Sequence, residues 1–187
     1  MKKHNDNIID KFDILVEKTK QPLFRLALNI LKDEEMAMDV VQDTYVKAWE
    51  NWTSFRGESD PKTWLYRITI NLSINQLKKK QRVINFNKFT NENIKDDEKI
   101  HDFEPEDPNT IEKYLNCKER KYIIKNAIDD LPINQKLVLQ LFYYEGFHYR
   151  EISEILDISI SAVESLLFRA RRNLKLKLAN YYKRNEL

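Results

Sequence analysis

The sequence predicts an all-α protein: two small helical domains joined by an acidic flexible linker, the second a helix-turn-helix domain. Three observations predict it. Only two glycines and five prolines occur in 187 residues, which favours helices over glycine-rich sheet and turn architectures. Apolar residues recur at helical spacing on both sides of residues 85–112. Charge divides the chain into three blocks. Residues 1–84 carry 15 basic and 12 acidic side chains, residues 85–112 carry 3 and 9, and residues 113–187 carry 14 and 9. Two mildly basic blocks around an acidic middle is the organisation of two domains on a linker.

Residues 8–31 place Ile8, Phe12, Leu15, Val16, Leu23, Leu26, Ala27 and Ile30 near helical spacing. Lys32–Asp33 marks a break, with Asp33 suited to cap the next helix. That helix, DEEMAMDVVQDTYVKAWENW, begins with acids, which suit the positive end of a helix dipole. Met36, Val40, Val41, Thr44, Ala48 and Trp52 form one stripe, expected to be buried. Asp39, Asp43, Lys47 and Glu50 form a polar one. The polar stripe is either a solvated face with an Asp43–Lys47 pair or a docking surface.

Residues 53–60 read as a loop with Phe55, Arg56 and Gly57 together, and an aromatic ring on a loop needs packing or a ligand. Pro61 suits the first turn of a helix. Trp64, Leu65, Ile68, Leu72 and Leu77 mark its expected buried side. Arg67, Asn71, Asn75, Lys78 and Lys79 lie near the other. Its basic end, KKKQR, suits phosphates, and aromatics beside cations suit stacked bases. Trp64 fits a core better than a stacking platform; Phe55 fits binding better.

Residues 85–111, NFNKFTNENIKDDEKIHDFEPEDPNTI, form the linker; Pro105 and Pro108 interrupt any late helix. Such a composition suits a plain connector or a strand lying in a positively charged channel of a partner. The second domain opens with a helix near 113–130, breaks at Asp130-Leu131-Pro132, and resumes over 133–144. Gly146 marks a tight corner. Ile152, Ile155 and Leu156 give a short helix, and Asp157 to Ser161 a turn. Ser161 and Glu164 match a capping box. Val163, Leu166, Leu167, Ala170 and Leu174 then bury one side of a second helix, completing the helix-turn-helix pattern. Its other side shows Ser165, Phe168, Arg169 and Arg172. Arginine pairs with guanine edges, serine bonds to bases or phosphate, and a phenyl ring meets thymine methyls. Seven basic and two acidic residues after Ala162, counting to the end of the chain, make an electrostatic footprint for DNA.

Other classes find little support. The apolar runs are far too short for a membrane span, and MKKHNDNIID has no apolar core of a signal peptide. One cysteine, Cys117, allows no intramolecular disulfide and has no metal-ligand spacing around it. The three histidines are scattered, and there is no GxxxxGK phosphate loop. A cytoplasmic, non-enzymatic protein without cofactor or metal is expected.

DVVQDTYVKAW at 39–49, FRGESDPKTWLYRITINLSIN at 55–75 and LPINQKLVLQLFYYEGFHYREISEILDISISAVESLLFRARRNL at 131–174 resemble a group IV sigma factor of bacterial RNA polymerase, the extracytoplasmic function (ECF) type of the sigma-70 family. The resemblance covers about residues 8–82 and 111–178. It implies that residues 1–84 are region 2-like, binding core polymerase and the −10 element. Residues 85–112 would be the linker, and residues 113–187 a region 4-like domain binding the −35 element. Asp39, Gln42, Asp43, Tyr45, Lys47 and Trp49 would meet the β′ clamp helices, which favours docking over a solvated face. Phe55, Arg56 and Gly57 match the loop that accepts a flipped −10 base, with Asn71 beside it. Arg67, Asn75, Lys78 and Lys79 would also face −10 DNA. Tyr149, Arg150, Ser161, Ser165, Phe168, Arg169 and Arg172 would serve the −35 element. The partners implied are core polymerase (β′ clamp helices and β flap), promoter DNA and an anti-sigma protein, with no further sensing domain and no membrane insertion. One departure stands out. Many members have Gly-Thr-Val-Lys/Arg-Ser where this chain has Ser161-Ala162-Val163-Glu164-Ser165. Glu164 either serves the capping box or accepts a hydrogen bond from a cytosine amine.

Overall fold

The computed structural model describes the backbone of residues 2–52, 60–87 and 120–185, and the side chains of residues 11–52, 60–80 and 120–179. The first domain is a three-helix unit: α1 (Lys2–Leu31), α2 (Glu34–Trp52) and α3 (Pro61–Asn87). The expected break between α1 and α2 rests on two local devices. Lys32 takes a left-handed φ of 54° and its N–H reaches the Leu28 carbonyl at 2.8 Å, closing α1. Asp33 then caps α2, its Oδ1 accepting the Met36 N–H at 3.1 Å, while Lys80 Nζ holds Oδ2 at 3.1 Å. At α3, Asp60 Oδ1 accepts the Lys62 N–H at 2.7 Å, and Pro61 takes the first helical position.

Leu23, Leu26 and Ala27 of α1, Ala37, Val40 and Ala48 of α2, and Leu65 and Ile70 of α3 form the first core. The buried side of α3 is shifted from expectation, and of the residues expected there only Leu65 is fully buried. Thr63, Leu65, Tyr66, Thr69, Ile70 and Ser73 are buried, whereas Trp64, Ile68, Leu72 and Leu77 are half-buried. Hydroxyls made this possible. Thr44, Thr69 and Ser73 donate to their own helices' carbonyls four residues back, at 2.8, 2.9 and 2.8 Å, and Thr44 and Thr69 meet across the helices at 3.2 Å. A hydroxyl satisfied this way can be buried with little desolvation cost. On α2, Val40, Val41, Thr44 and Ala48 are buried as expected, Ala37 joins them, and Met36 and Trp52 are half-buried.

The second domain contains α4 (residues 120–129), α5 (Ile133–Leu139), a π-helical turn Gln140–Tyr144, α6 (Tyr149–Leu156) and α7 (Ile160–Asn185). Where one helix was expected over 133–144, the last turn widens to π geometry. Gly146, at φ +73°, then turns the chain, and Phe147 drops into the core with its N–H on the Leu141 carbonyl at 3.0 Å. Leu137, Val138, Leu141, Ile152, Ile155, Val163, Leu167 and Ala170 fill this core. α3 runs to Asn87; the rest of the linker, residues 88–112, and residues 113–119 at the start of the helix expected near 113–130 lie outside the described residues.

The two domains meet along a seam between α3 and the corner before α6. Tyr66, fully buried, donates its hydroxyl hydrogen bond to the Glu145 carboxylate, and its ring meets Phe147 edge-on at 4.8 Å. Lys62 Nζ lies 4.3 Å over the Phe147 ring and donates to the Glu145 carbonyl at 3.2 Å. Arg67 reaches Asp157 at 3.6 Å, and Lys32 reaches Asp129 at 2.7 Å. Burial, and then the Glu145 carboxylate, push the Tyr66 phenol far above its ordinary value, so it remains a donor. Among the described residues no helix is long and apolar enough to cross a membrane.

Candidate nucleic-acid interface

α6 and α7 form the expected helix-turn-helix. The turn is tighter than expected because Asp157 adopts φ 56°, and the Ile158 N–H reaches back to the Ser153 carbonyl at 3.1 Å, a Schellman closure. α7 therefore starts at Ile160. Its cap is Ser159, whose Oγ accepts the Ala162 N–H at 3.2 Å. The box expected between Ser161 and Glu164 does not form. Ser161 lies within the first turn, exposed, its hydroxyl 3.0 Å from that of Ser159. A reciprocal bond of that kind appears at α6 instead, where Glu151 accepts the His148 N–H at 2.7 Å.

Val163, Leu167 and Ala170 hold α7 on the core, and Leu166 and Leu174 are half-buried. The opposite face presents Ser161, Ser165, Phe168, Arg169 and Arg172, all exposed. Phe168 is 68% exposed, which leaves its ring beside Ser165 and Arg169 accessible to a ligand. Glu164, Ser165, Phe168 and Arg169 line one shallow concavity. Arg169 Nε donates to the Ser165 carbonyl at 3.2 Å, which lays the guanidinium along the helix. At the start of α6, Arg150 is exposed and pairs with Glu154 at 3.5 Å. Tyr149 is half-buried, its ring 5.4 Å from Phe142, so it serves packing first.

On α3, Arg67, Asn71, Asn75, Lys78 and Lys79 are exposed and succeed one another along one side. Arg67 is engaged by Asp157 of the turn between α6 and α7. Asn75, Lys78 and Lys79 share a small cleft with Asp43 and Val40 of α2, of about 290 Å³. Trp64 is half-buried and stacks on Trp52 at 6.4 Å. Phe55, Arg56 and Gly57 lie outside the described residues.

On α2, Asp39, Gln42, Asp43, Lys47 and Trp49 are exposed, and no ion pair joins Asp43 and Lys47 among the described residues. Tyr45 does not belong to that face. Its hydroxyl sits 2.9 Å from Thr19 Oγ1 and donates to the Val16 carbonyl at 3.3 Å, and burial raises its pKa. Trp49 is partly sheltered by Phe12 at 5.1 Å. Sequence reasoning missed Met38 and Val46, 52% and 57% exposed. With Gln42 and Trp49 they form a second, largely apolar line beside Asp39, Asp43 and Lys47. Their spacing of four, four and three residues was the available signal.

Comparison with known proteins identifies a family for each half of the chain. The sigma-70 region 2 family matches residues 15–83, and the sigma-70 region 4 family matches residues 121–174. The chain is 32% identical over 170 residues to an ECF RNA polymerase sigma-E factor of Haemophilus influenzae, covering 89% of this chain and 87% of that protein. It is 31% identical to an RNA polymerase sigma-H factor of Pseudomonas aeruginosa, covering 86% and 82%. It is 32% identical to the sigma factor YlaC of Bacillus subtilis, covering 92% of each. In fold it resembles the sigma factor RpoE, solved in complex with the anti-sigma factor NepR from Bartonella quintana. The TM-score is 0.70 at 24% identity over 90% of this chain and 97% of that one. CnrH, solved with the cytosolic domain of CnrY, gives 0.59 at 22%, covering 90% and 88%.

Proposed function

Because this chain belongs to the ECF group of the sigma-70 family, we infer that it is a promoter-recognition subunit of bacterial RNA polymerase. It binds core polymerase and promoter DNA through regions 2 and 4, and it is not itself an enzyme. Region 2 would use the α2 face (Asp39, Gln42, Asp43, Lys47, Trp49) to dock on the β′ clamp helices. Its α3 face (Arg67, Asn71, Asn75, Lys78, Lys79), with Phe55, Arg56 and Gly57, would hold the −10 element as its strands separate. Holding open strands requires ring and phosphate contacts to replace lost base stacking. Region 4 would place α7 in the major groove at −35 and meet the β flap. The observation that carries this reading is the exposed Ser165–Phe168–Arg169–Arg172 face on the second helix of a helix-turn-helix, in a chain whose other half matches region 2.

The closed seam bears on how this works. Arg67 touches Asp157 in the turn before α7, and Arg169 lies only about 14 Å along α7 from its start at Ile160, at 1.5 Å per residue. Promoter positions 25 base pairs apart lie about 85 Å apart on B-form DNA at 34–36 Å per turn. One chain therefore reaches both elements only after the α3–α6 seam opens. An anti-sigma protein in the cytoplasm is the partner proposed to oppose that step.

The test is binding of the purified chain to bacterial core polymerase, beside an Asp43→Lys, Lys47→Asp variant, followed by promoter opening. Tight wild-type binding that the variant loses is expected. A folded chain that binds duplex DNA alone and ignores core polymerase would refute the reading.

A further inference from the structure

Glu164 is an acidic residue at the front of an otherwise basic DNA-reading helix. Two uses for it were open, as the closing half of a cap or as a reader of bases. The structure removes the first, because Ser159 caps α7 and the helix begins at Ile160. Glu164 is exposed and lines one concavity with Ser165, Phe168 and Arg169. It lies in the second turn of α7, and the first turns of a recognition helix are the part that meets base edges in the major groove. A carboxylate there cannot take a phosphate oxygen as partner, since both only accept hydrogen bonds and both are negative. On the floor of the major groove, cytosine offers a donor amine with no competing acceptor of its own, and a glutamate is its ordinary partner.

We propose that Glu164 is a specificity-determining residue that accepts a hydrogen bond from the N4 amine of a cytosine in the −35 element. It fixes one C·G pair at that step, beside the bases met by Ser165, Phe168 and Arg169. This deepens the promoter-recognition reading and rests on it. The carboxylate also discriminates negatively. Thymine in place of that cytosine presents its O4 acceptor, which repels the carboxylate.

The experiment selects −35 sequences from a randomised promoter library with holoenzyme assembled from this chain and bacterial core polymerase. Wild type is run beside Glu164→Ala and Glu164→Gln, both at a solvent-exposed position that carries no core packing. Wild type should demand cytosine at one position, and Glu164→Ala should relax that position alone by about five- to a hundred-fold. Glu164→Gln should shift it towards adenine, which a carboxamide reads through N6 and N7. Wild-type selection that is sharp elsewhere and unaltered by either variant would overturn the assignment and leave the promoter-recognition reading intact. So would a uniform gain in affinity for all sequences with a steeper salt dependence, the signature of a carboxylate that only repels phosphate. A holoenzyme that selects no −35 sequence at all would sink both.

Discussion

Tyr66→Phe tests the seam with a single oxygen. Tyr66 is fully buried and its hydroxyl donates to the Glu145 carboxylate; its ring stays edge-on to Phe147 in the variant, so packing is conserved. A hydrogen bond to a charged acceptor contributes about 1.5–3 kcal/mol. Glu145 is only half-buried, so water recovers part of that loss, and about 1–2 kcal/mol is expected for separation of the domains. In the regime where amide exchange reports the opening equilibrium, that corresponds to about 5- to 30-fold faster exchange. The effect should be confined to α3 from Lys62 to Ile70 and to the stretch from Phe147 through α6. Exchange in the first core, at Leu26 and Val40, should change little. Unaltered protection along the seam would show that the bond contributes nothing to closure. Equal loss throughout both cores would show that Tyr66 supports folding rather than docking of the domains.

Three further outcomes are expected. Asp33→Ala removes the α2 cap and should cost about 1 kcal/mol at neutral pH in urea unfolding. The Met36 N–H, then Lys80, hold the Asp33 carboxyl below its ordinary value; its stabilisation is therefore present above the unfolded pKa of about 3.9 and fades as pH falls through the lower folded one, so the wild-type advantage should shrink below about pH 4, and a constant gap would refute it. Ser159→Ala should cost about 1 kcal/mol by loss of the α7 cap, whereas Ser161→Ala should be close to neutral; the reverse order in thermal melts would restore the cap to Ser161. Arg169→Ala should weaken −35 binding by about 1–3 kcal/mol and relax one base position, and equal binding in a mobility-shift titration would remove Arg169 from the reading face.

Much of the architecture follows from local chemistry and is therefore legible in the sequence. The break at Lys32–Asp33, the Pro61 start, the stop at Asp130–Pro132 and the Gly146 corner each depend on a few neighbouring backbone and side-chain groups. The exposed face of α7 was also legible, since Val163, Leu167 and Ala170 define one buried side and leave Ser165, Phe168, Arg169 and Arg172 opposite. Tertiary structure decided what periodicity cannot. A helical period locates a stripe but not how many neighbours surround it, and α3 packs on α1 and α2 while also meeting the second domain. That is why Tyr66 is buried in a seam, Thr69 and Ser73 are buried with satisfied hydroxyls, and Trp64 is left half-buried. Tyr45 was drawn off the α2 face by Thr19 and Val16, residues far away in sequence. The cap of α7 moved from Ser161 to Ser159 because Asp157 entered the left-handed region and shortened the turn. The residues along each helix determined where it starts, stops and turns; the surfaces packed around it determined which side chains remain free to meet a partner.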